Sequence, residues 1–348
     1  MGIPAPYLLY LGTSKDRLYL KTANGIAYWR PELVCGQYRA SGHDRSLGLA
    51  ELSFEEAVAA GAQTLVLGFA NEGGYMPDAV VEDILSAMRA GLHVASGLHQ
   101  HLRDNHRISE LASALGRSLF DVRIPPDRLP VGTGVRRAGR RLLAVGTDCS
   151  VGKMYTSLAI EKELKRRNLP ASFRATGQTG ILIAGGGIPL DAVPGDFLSG
   201  AIEQLSPDRH DNGWDIIEGQ GSLFHPSYAG VSLGLLHGAQ PDAIVLCHAI
   251  GRPHIRRLPS YSLPGLLECL NRNLQAARLT NPDVVAVGIS LNTSGVSPAE
   301  ALQARSEVEE LLGLPCEDPL ATGVERIVNG LIEACAGRVS GKACRDTA

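Results

Sequence analysis

The sequence has no apolar run of about 18 residues, the length a membrane-crossing helix needs. Its opening, MGIPAPYLLYLG, lacks the basic stretch and uninterrupted apolar core of a secretory leader. A membrane-spanning or exported protein is therefore not expected. Neither sign of charge is in excess: 33 basic against 36 acidic side chains leave a formal net charge of -3, which argues against nucleic acid as a partner. The seven cysteines (Cys35, Cys149, Cys247, Cys269, Cys316, Cys335, Cys344) are odd in number and scattered, with no CxxC pair and no zinc-type spacing. A reduced, cytoplasmic setting without a resident metal is the simplest expectation. There is no internal repeat and no low-complexity segment. What remains, 348 residues of which 44% are hydrophobic, suits two globular domains.

After an N-terminal stretch of uncertain form, AQTLVLGFA reads as a buried strand, MPDAVVEDILSAMRAGL as an amphipathic helix and HVASG as the next strand. DNHRISELASALG adds a helix capped at Asp104 or Asn105, and LFDVRI a further strand. This places a small parallel-sheet domain over residues 1–130. PPDRLPVGTGVRRAGRR follows, with five arginines and no periodicity; residues 131–140 are expected to be a linker whose arginines form a solvated face. Over 141–340 strands and helices alternate again: strand LLAVG, helix GKMYTSLAIEKELKRRN, strand ASFRATG, a helix near PGDFLSGAIEQL, strands WDIIEG and DAIVLCHAI, helix SLPGLLECLNRNLQAARL, strand DVVAVGISL and helix SPAEALQARSEVEELLG. Such alternation predicts an α/β fold with a doubly wound parallel sheet and ligands at the carboxyl ends of its strands.

At one of those ends stands GTDCSVGKM, Gly146 to Met154, between an apolar strand and a helix. That is the context of a phosphate loop, in which successive N–H groups, the helix N-terminus and a lysine meet an anion. The expected contacts are Thr147, Asp148, Cys149, Ser150, Val151, Gly152, Lys153, Met154 and Tyr155. Five residues separate the glycines, where the common pattern has four. Met154 occupies the position of the Ser or Thr whose hydroxyl binds magnesium, and a soft thioether suits that ion poorly. Thr156 lies about 200° further round the helix. A ligand with phosphates but no reacting γ-phosphate fits better, and coenzyme A is one.

The loop resembles GTDT-x-VGKT of dethiobiotin synthetases, and IIEGQGS, residues 216–222, is similar to their VEGAGG. Together with FRATGQTGILIAGGGIPLDAVPGDFLSGAIE and WDIIEGQGSLFHPSYAGVSLGLLHGAQPDAIVLCHAIGR, these motifs make the chain resemble, over nearly its whole length, a bacterial and archaeal family. Members pair a small N-terminal Rossmann-like domain with a C-terminal P-loop NTPase-like domain. The resemblance implies N-acetylation of D-glutamate or a related D-amino acid by acetyl-CoA, in a route completed by a deacetylase. A cytoplasmic homo-oligomer acting on a small molecule is expected.

Transfer needs a base at a strand end, and the candidates in order are Glu218, Asp196 and His225. Each has a plainer alternative: Glu218 ordering its turn, Asp196 capping a helix, His225 packing in its loop. Substrate carboxylates call for cationic or amide donors, hence Arg174, Thr176, Gln178, Thr179, Gln220, Ser222 and Arg252, whereas Arg256 and Arg257 read as a solvated pair. His248 is equally a satisfied core histidine, and Gln178 with Thr179 a structural turn. Cys149 reads as loop filler rather than nucleophile, and His99 with His101 lacks a third metal ligand except Asp104 or His106. Two other functions stay open. One is an ATP-dependent ligase or kinase of the dethiobiotin-synthetase type using Mg-ATP, and the other a nucleotide-binding switch.

Overall fold

The computed structural model describes residues 2–12, 20–40, 45–69 and 74–336. Ala70 of one expected strand, residues 337–340 of the expected second domain, and Cys344 lie outside the described residues. The chain forms two compact units, one from residues 1–125 with 177–192, the other from 126–176 with the chain from 193 onward.

The first unit carries β1 (Tyr7–Tyr10), α1 (Lys21–Trp29), β2 (Val34–Tyr38), α2 (Phe54–Ala59), β3 (Thr64–Leu67), α3 (Asp78–Ala90), β4 (His93–Ser96), α4 (His106–Leu115) and β5 (Leu119–Asp121). Its strands pair in parallel in the order β2-β1-β3-β4-β5. The stretch whose form the sequence leaves open thus supplies two strands and two helices. Ser53 and Glu56 close a reciprocal capping box on α2, and Asn105 rather than Asp104 caps α4 by accepting the Ile108 N–H.

The second unit opens with β6 (Arg140–Gly146), α5 (Lys153–Arg166) and β7 (Ala171–Arg174). The chain then returns to the first unit for α6 (Gln178–Ala184), where Thr179 Oγ1 meets Thr22 Oγ1 at 2.9 Å and the Ile183 carbonyl accepts from Arg30 Nε. A seven-residue helix between Gly177 and Gly185 is too short to leave a readable period. The second unit resumes with α7 (Leu198–Leu205), β8 (Trp214–Ile217), α8 (Ala229–Ala239), β9 (Ala243–Ala249), α9 (Leu266–Arg278), β10 (Val285–Asn292), α10 (Pro298–Leu312), β11 (Cys316–Glu317) and α11 (Glu325–Cys335). Its all-parallel order is β11-β10-β9-β6-β8-β7. β6, buried from Arg141 to Gly146, lies between β8 and β9, where successive connections leave in opposite directions. That switch point opens a crevice at its carboxyl end.

The expected solvated linker face is corrected. Arg141 is 1% exposed, and its guanidinium donates to Ser206 Oγ and to the carbonyls of Ala138 and Pro207. Arg137 donates to the carbonyls of Ser206, Gly238 and Ala239, at the ends of α7 and α8, and Arg136 pairs with Asp242. Helix C-termini leave carbonyls without intrahelical donors, and a guanidinium with five N–H groups satisfies several at once. Burial pushes Arg137 down to about 10, a group that still stays charged near neutrality.

Candidate phosphate-binding site

Backbone conformation builds the loop after β6. Ser150 (φ 54°) and Gly152 (φ 108°) are left-handed, and Val151 between them is buried. A side chain on Gly146 would lie 2.8 Å from Val151 Cγ2 and 3.2 Å from the Cys247 carbonyl, so the strand end admits only glycine. Thr147, fully buried, meets His248 Nδ1 at 2.9 Å through its hydroxyl. Lys153 opens α5 and is 6% exposed; Nζ donates to the carbonyls of Asp148 and Gly221, each at 2.8 Å. An ammonium has three N–H groups, so one is left for a ligand. Burial lowers its pKa, against the fields of Asp148 and Glu218.

Asp148 ties the loop to the segment after β9. Its carboxylate, with no exposed surface, accepts from its neighbour's N–H (Cys149, 2.6 Å), from Arg252 Nη1 (2.7 Å) and from the Arg256 N–H (2.7 Å). Arg252 donates further to the carbonyls of Cys149 and Ser150, and Arg256 Nη1 to Ser150 Oγ at 2.8 Å. Arg256, read from the sequence as solvated, is thus part of the loop's wall, and that expectation is corrected. No local signal marks it, because the partner is 106 residues away in the chain.

The residues do not fit a divalent cation. Met154 offers no hydroxyl, and Thr156, with no exposed surface, is occupied by the Gly152 carbonyl and Ser290 Oγ. Asp148, Cys149 and His225 bring one potential ligand atom each to within 4.8 Å of one another. Yet the Asp148 carboxylate is spent on three donors, and His225 Nδ1 accepts the Ser227 N–H at 3.1 Å. A neutral imidazole so bonded carries its proton on Nε2 and has no lone pair left for a metal.

The loop after β8 explains its own glycines. A Cβ on Gly219 would fall 1.6 Å from the Ala144 carbonyl oxygen, and Gly221 (φ 61°) turns its carbonyl toward Lys153. Ser222 Oγ donates to the Thr147 carbonyl at 3.1 Å, and the Gln220 carbonyl accepts from Ser232. Glu218, 4% exposed, accepts the Thr176 N–H at 2.9 Å. Its own carbonyl accepts from Thr176 Oγ1, which also receives Gln220 Nε2. His225 is 5% exposed and lies 4.4 Å from the Tyr228 ring; burial pushes its imidazole down.

The loop residues, Thr176, Glu218, Gln220, Ser222, His225 and Arg252 therefore gather at the carboxyl end of the second unit's sheet. Other candidates stand elsewhere. Arg174 pairs at 3.0 Å with Asp215, which also holds Arg209 and Ser206. Asp196 is exposed on a short 3-10 turn, Gly195–Phe197, that follows Pro194; it does not cap α7, which Phe197 precedes without any side-chain cap. Gln178 and Thr179 belong to the first unit, Gln178 lying against Gly97 at the end of β4. His101 pairs with Asp104, and among the described residues no metal-ligand cluster forms around His99.

These features define a two-unit α/β protein whose C-terminal sheet carries a phosphate loop altered at the metal position. The chain belongs to the DUF1611 family. Residues 130–328 match the P-loop domain of DUF1611, described as a domain of unknown function, and residues 41–125 match its Rossmann-like N-terminal domain. The chain is 50% identical over 329 residues to a D-glutamate N-acetyltransferase of Tritonibacter scottomollicae, spanning 94% of this chain and 99% of the relative. It is 49% identical over 331 residues to one of a Pseudoalteromonas species, spanning 95% and 100%. Its fold is similar to that of a DUF1611 family protein from Anabaena variabilis, with a TM-score of 0.84 and 31% identity over 94% of this chain and 99% of that one.

Proposed function

We propose that the protein transfers the acetyl group of acetyl-CoA to the amino group of D-glutamate. The observation that carries this reading is the 50% identity to a D-glutamate N-acetyltransferase across 94% of the chain. The chemistry of the phosphate loop agrees with it, since a thioether at position 154 is compatible with holding a phosphate and poorly suited to assembling Mg-ATP for attack.

In this reading the N–H groups from Ser150 to Met154 and the remaining Lys153 N–H hold a phosphate of coenzyme A, while the Thr147 and Cys149 N–H groups are engaged with Cys247 and Asp148. The substrate's amine nitrogen attacks the thioester carbonyl carbon; the N–C bond forms, the C–S bond breaks, and coenzyme A leaves as the thiolate. Glu218 takes the amine's proton and returns it to the leaving thiolate. It is the best placed of the three candidates, because it is a carboxylate at a strand end shielded from water and Asp196 is open to solvent. His225, holding its proton on Nε2, acts as a donor to developing negative charge and not as the base. A cytoplasmic homo-oligomer belongs to the same reading; among the described residues no helix is long and apolar enough to cross a membrane.

The test is release of free coenzyme A thiol by the purified protein with D- or L-glutamate, with the product identified by mass. Thiol release that depends on D-glutamate and yields its N-acetyl derivative supports the proposal. Turnover of Mg-ATP without thiol release overturns it in favour of a ligase or kinase.

A further inference from the structure

The phosphate loop lacks the groups that would seat a magnesium ion, yet a bound phosphate still needs its charge met. We propose that Arg252 and Arg256 meet it, so that the loop is a phosphate site that works without a divalent cation. This rests on the acetyl-CoA reading for the identity of the ligand, but not for the anion chemistry.

Three observations carry it. The hydroxyl position is Met154, and the next hydroxyl, Thr156, is buried and engaged with Gly152 and Ser290. The loop's one carboxylate, Asp148, already accepts from Arg252 and from the Arg256 and Cys149 N–H groups, so a cation there would have to compete with three donors and two guanidinium groups. Both guanidinium groups then converge on Ser150, the left-handed residue of the loop: Arg252 Nη2 reaches its carbonyl at 3.1 Å and Arg256 Nη1 its hydroxyl at 2.8 Å. Against Lys153, Arg252 and Arg256 stand Asp148 and Glu218, which leaves the wall cationic. Arg252 spends Nη1 on Asp148 and Cys149 and one Nη2 N–H on Ser150, so it contributes its charge and its remaining donors, and both guanidinium groups are held in place before a ligand arrives.

Titration calorimetry of the full-length protein with coenzyme A, dephospho-coenzyme A and inorganic pyrophosphate, each in EDTA and in magnesium, tests this. Arg256→Gln is the informative variant because the backbone N–H that Asp148 uses is retained, and Arg256→Lys keeps a charge without the fork. Expected are equal affinities for coenzyme A in EDTA and magnesium, a loss of about tenfold or more in Arg256→Gln, and partial recovery in Arg256→Lys. Loss confined to coenzyme A identifies the 3′-phosphate as the group held; equal loss with the dephospho form identifies the pyrophosphate. Binding that requires magnesium, or an Arg256→Gln protein that binds like the native one, overturns the proposal. Arg256-dependent, metal-free binding of pyrophosphate without any affinity for acetyl-CoA keeps the arginine assignment and removes the transferase reading. Thiol release with D-glutamate and an unchanged KM for acetyl-CoA in Arg256→Gln does the reverse.

Discussion

Lys153 and Gly221 are joined by one hydrogen bond, 2.8 Å from ammonium to carbonyl, so that the phosphate loop and the loop after β8 share a single buried cation. The lysine thus braces two loops, and in the proposed reading it also meets the ligand. Substituting Lys153→Met removes the charge and leaves two carbonyls without their donor, at about 1–3 kcal/mol each, offset in part because a desolvated charge is no longer buried. Acetyl-CoA affinity is expected to fall at least about tenfold while the melting temperature moves by only a few degrees. Calorimetry and a thermal melt on the same sample check it; unchanged affinity would leave Lys153 with the bracing role alone.

Glu218→Gln separates chemistry from architecture. The amide can still accept the Thr176 N–H that the carboxylate accepts at 2.9 Å, so the fold and cofactor affinity should survive. Loss of a general base is expected to lower kcat by about 10²–10⁴-fold. Steady-state kinetics with a direct binding measurement decide the matter. A parallel loss of binding and turnover would mean that Glu218 orders its loop and takes no proton.

Gly219→Ala tests why the motif needs its first glycine. The added carbon would sit 1.6 Å from the Ala144 carbonyl oxygen, on the central strand, where backbone must move to admit it. The cost should exceed about 4 kcal/mol, in the range reserved for core disruption. Gly230→Ala, where nothing lies within 4 Å, is the control. Urea unfolding of the two variants measures the difference, and similar midpoints would contradict the packing account.

How much of this could be read from the chain follows from the range of the interactions. Gly146, Lys153 and the run from Glu218 to Ser222 are local patterns at strand ends, and the sheet brings them together as the alternation of elements implies. Arg137 and Arg141 carried no periodic signal, because their partners are helix ends contributed by α7 and α8. α8 carries no amphipathic signal because its sequence, AGVSLGLLHGA, is apolar and small on most sides and lacks a polar stripe. α6 is too short to leave a readable period, and it folds with the first unit although its sequence lies within the second.

Acid should weaken the fold through two histidines. Burial lowers His225 and His248 below their ordinary 6.5, and Arg252 lowers His248 further. Below about 6.5 the unfolded chain takes up protons that the folded state refuses, so stability falls as the pH drops, until the folded-state values are reached. Above about 6.5 both states are neutral and this contribution is constant. Urea midpoints between about pH 8 and 5 should therefore decline in the native protein and decline less in the His225→Gln, His248→Gln double variant. Equal slopes would show that other groups drive the acid limb.

Met154→Thr restores the hydroxyl that a hydrolytic loop carries and asks whether its absence alone keeps this protein from using Mg-ATP. The surrounding chemistry argues that it does not. A cation brought to residue 154 would find the Asp148 carboxylate already bonded to Arg252 and to the Arg256 N–H, with Lys153 and two guanidinium groups opposing its charge. Displacing those donors means breaking charge-assisted hydrogen bonds, several of them to a carboxylate with no exposed surface, and one new oxygen ligand does not compensate. The variant is therefore expected to keep metal-independent binding of acetyl-CoA within about threefold of the native protein and to hydrolyse ATP no faster than background. Phosphate release with Mg-ATP, measured beside acetyl-CoA titration in EDTA, gives both answers. Magnesium-dependent ATP turnover in Met154→Thr would mean that the arginines yield to the metal and that a single side chain separates the two chemistries on this loop.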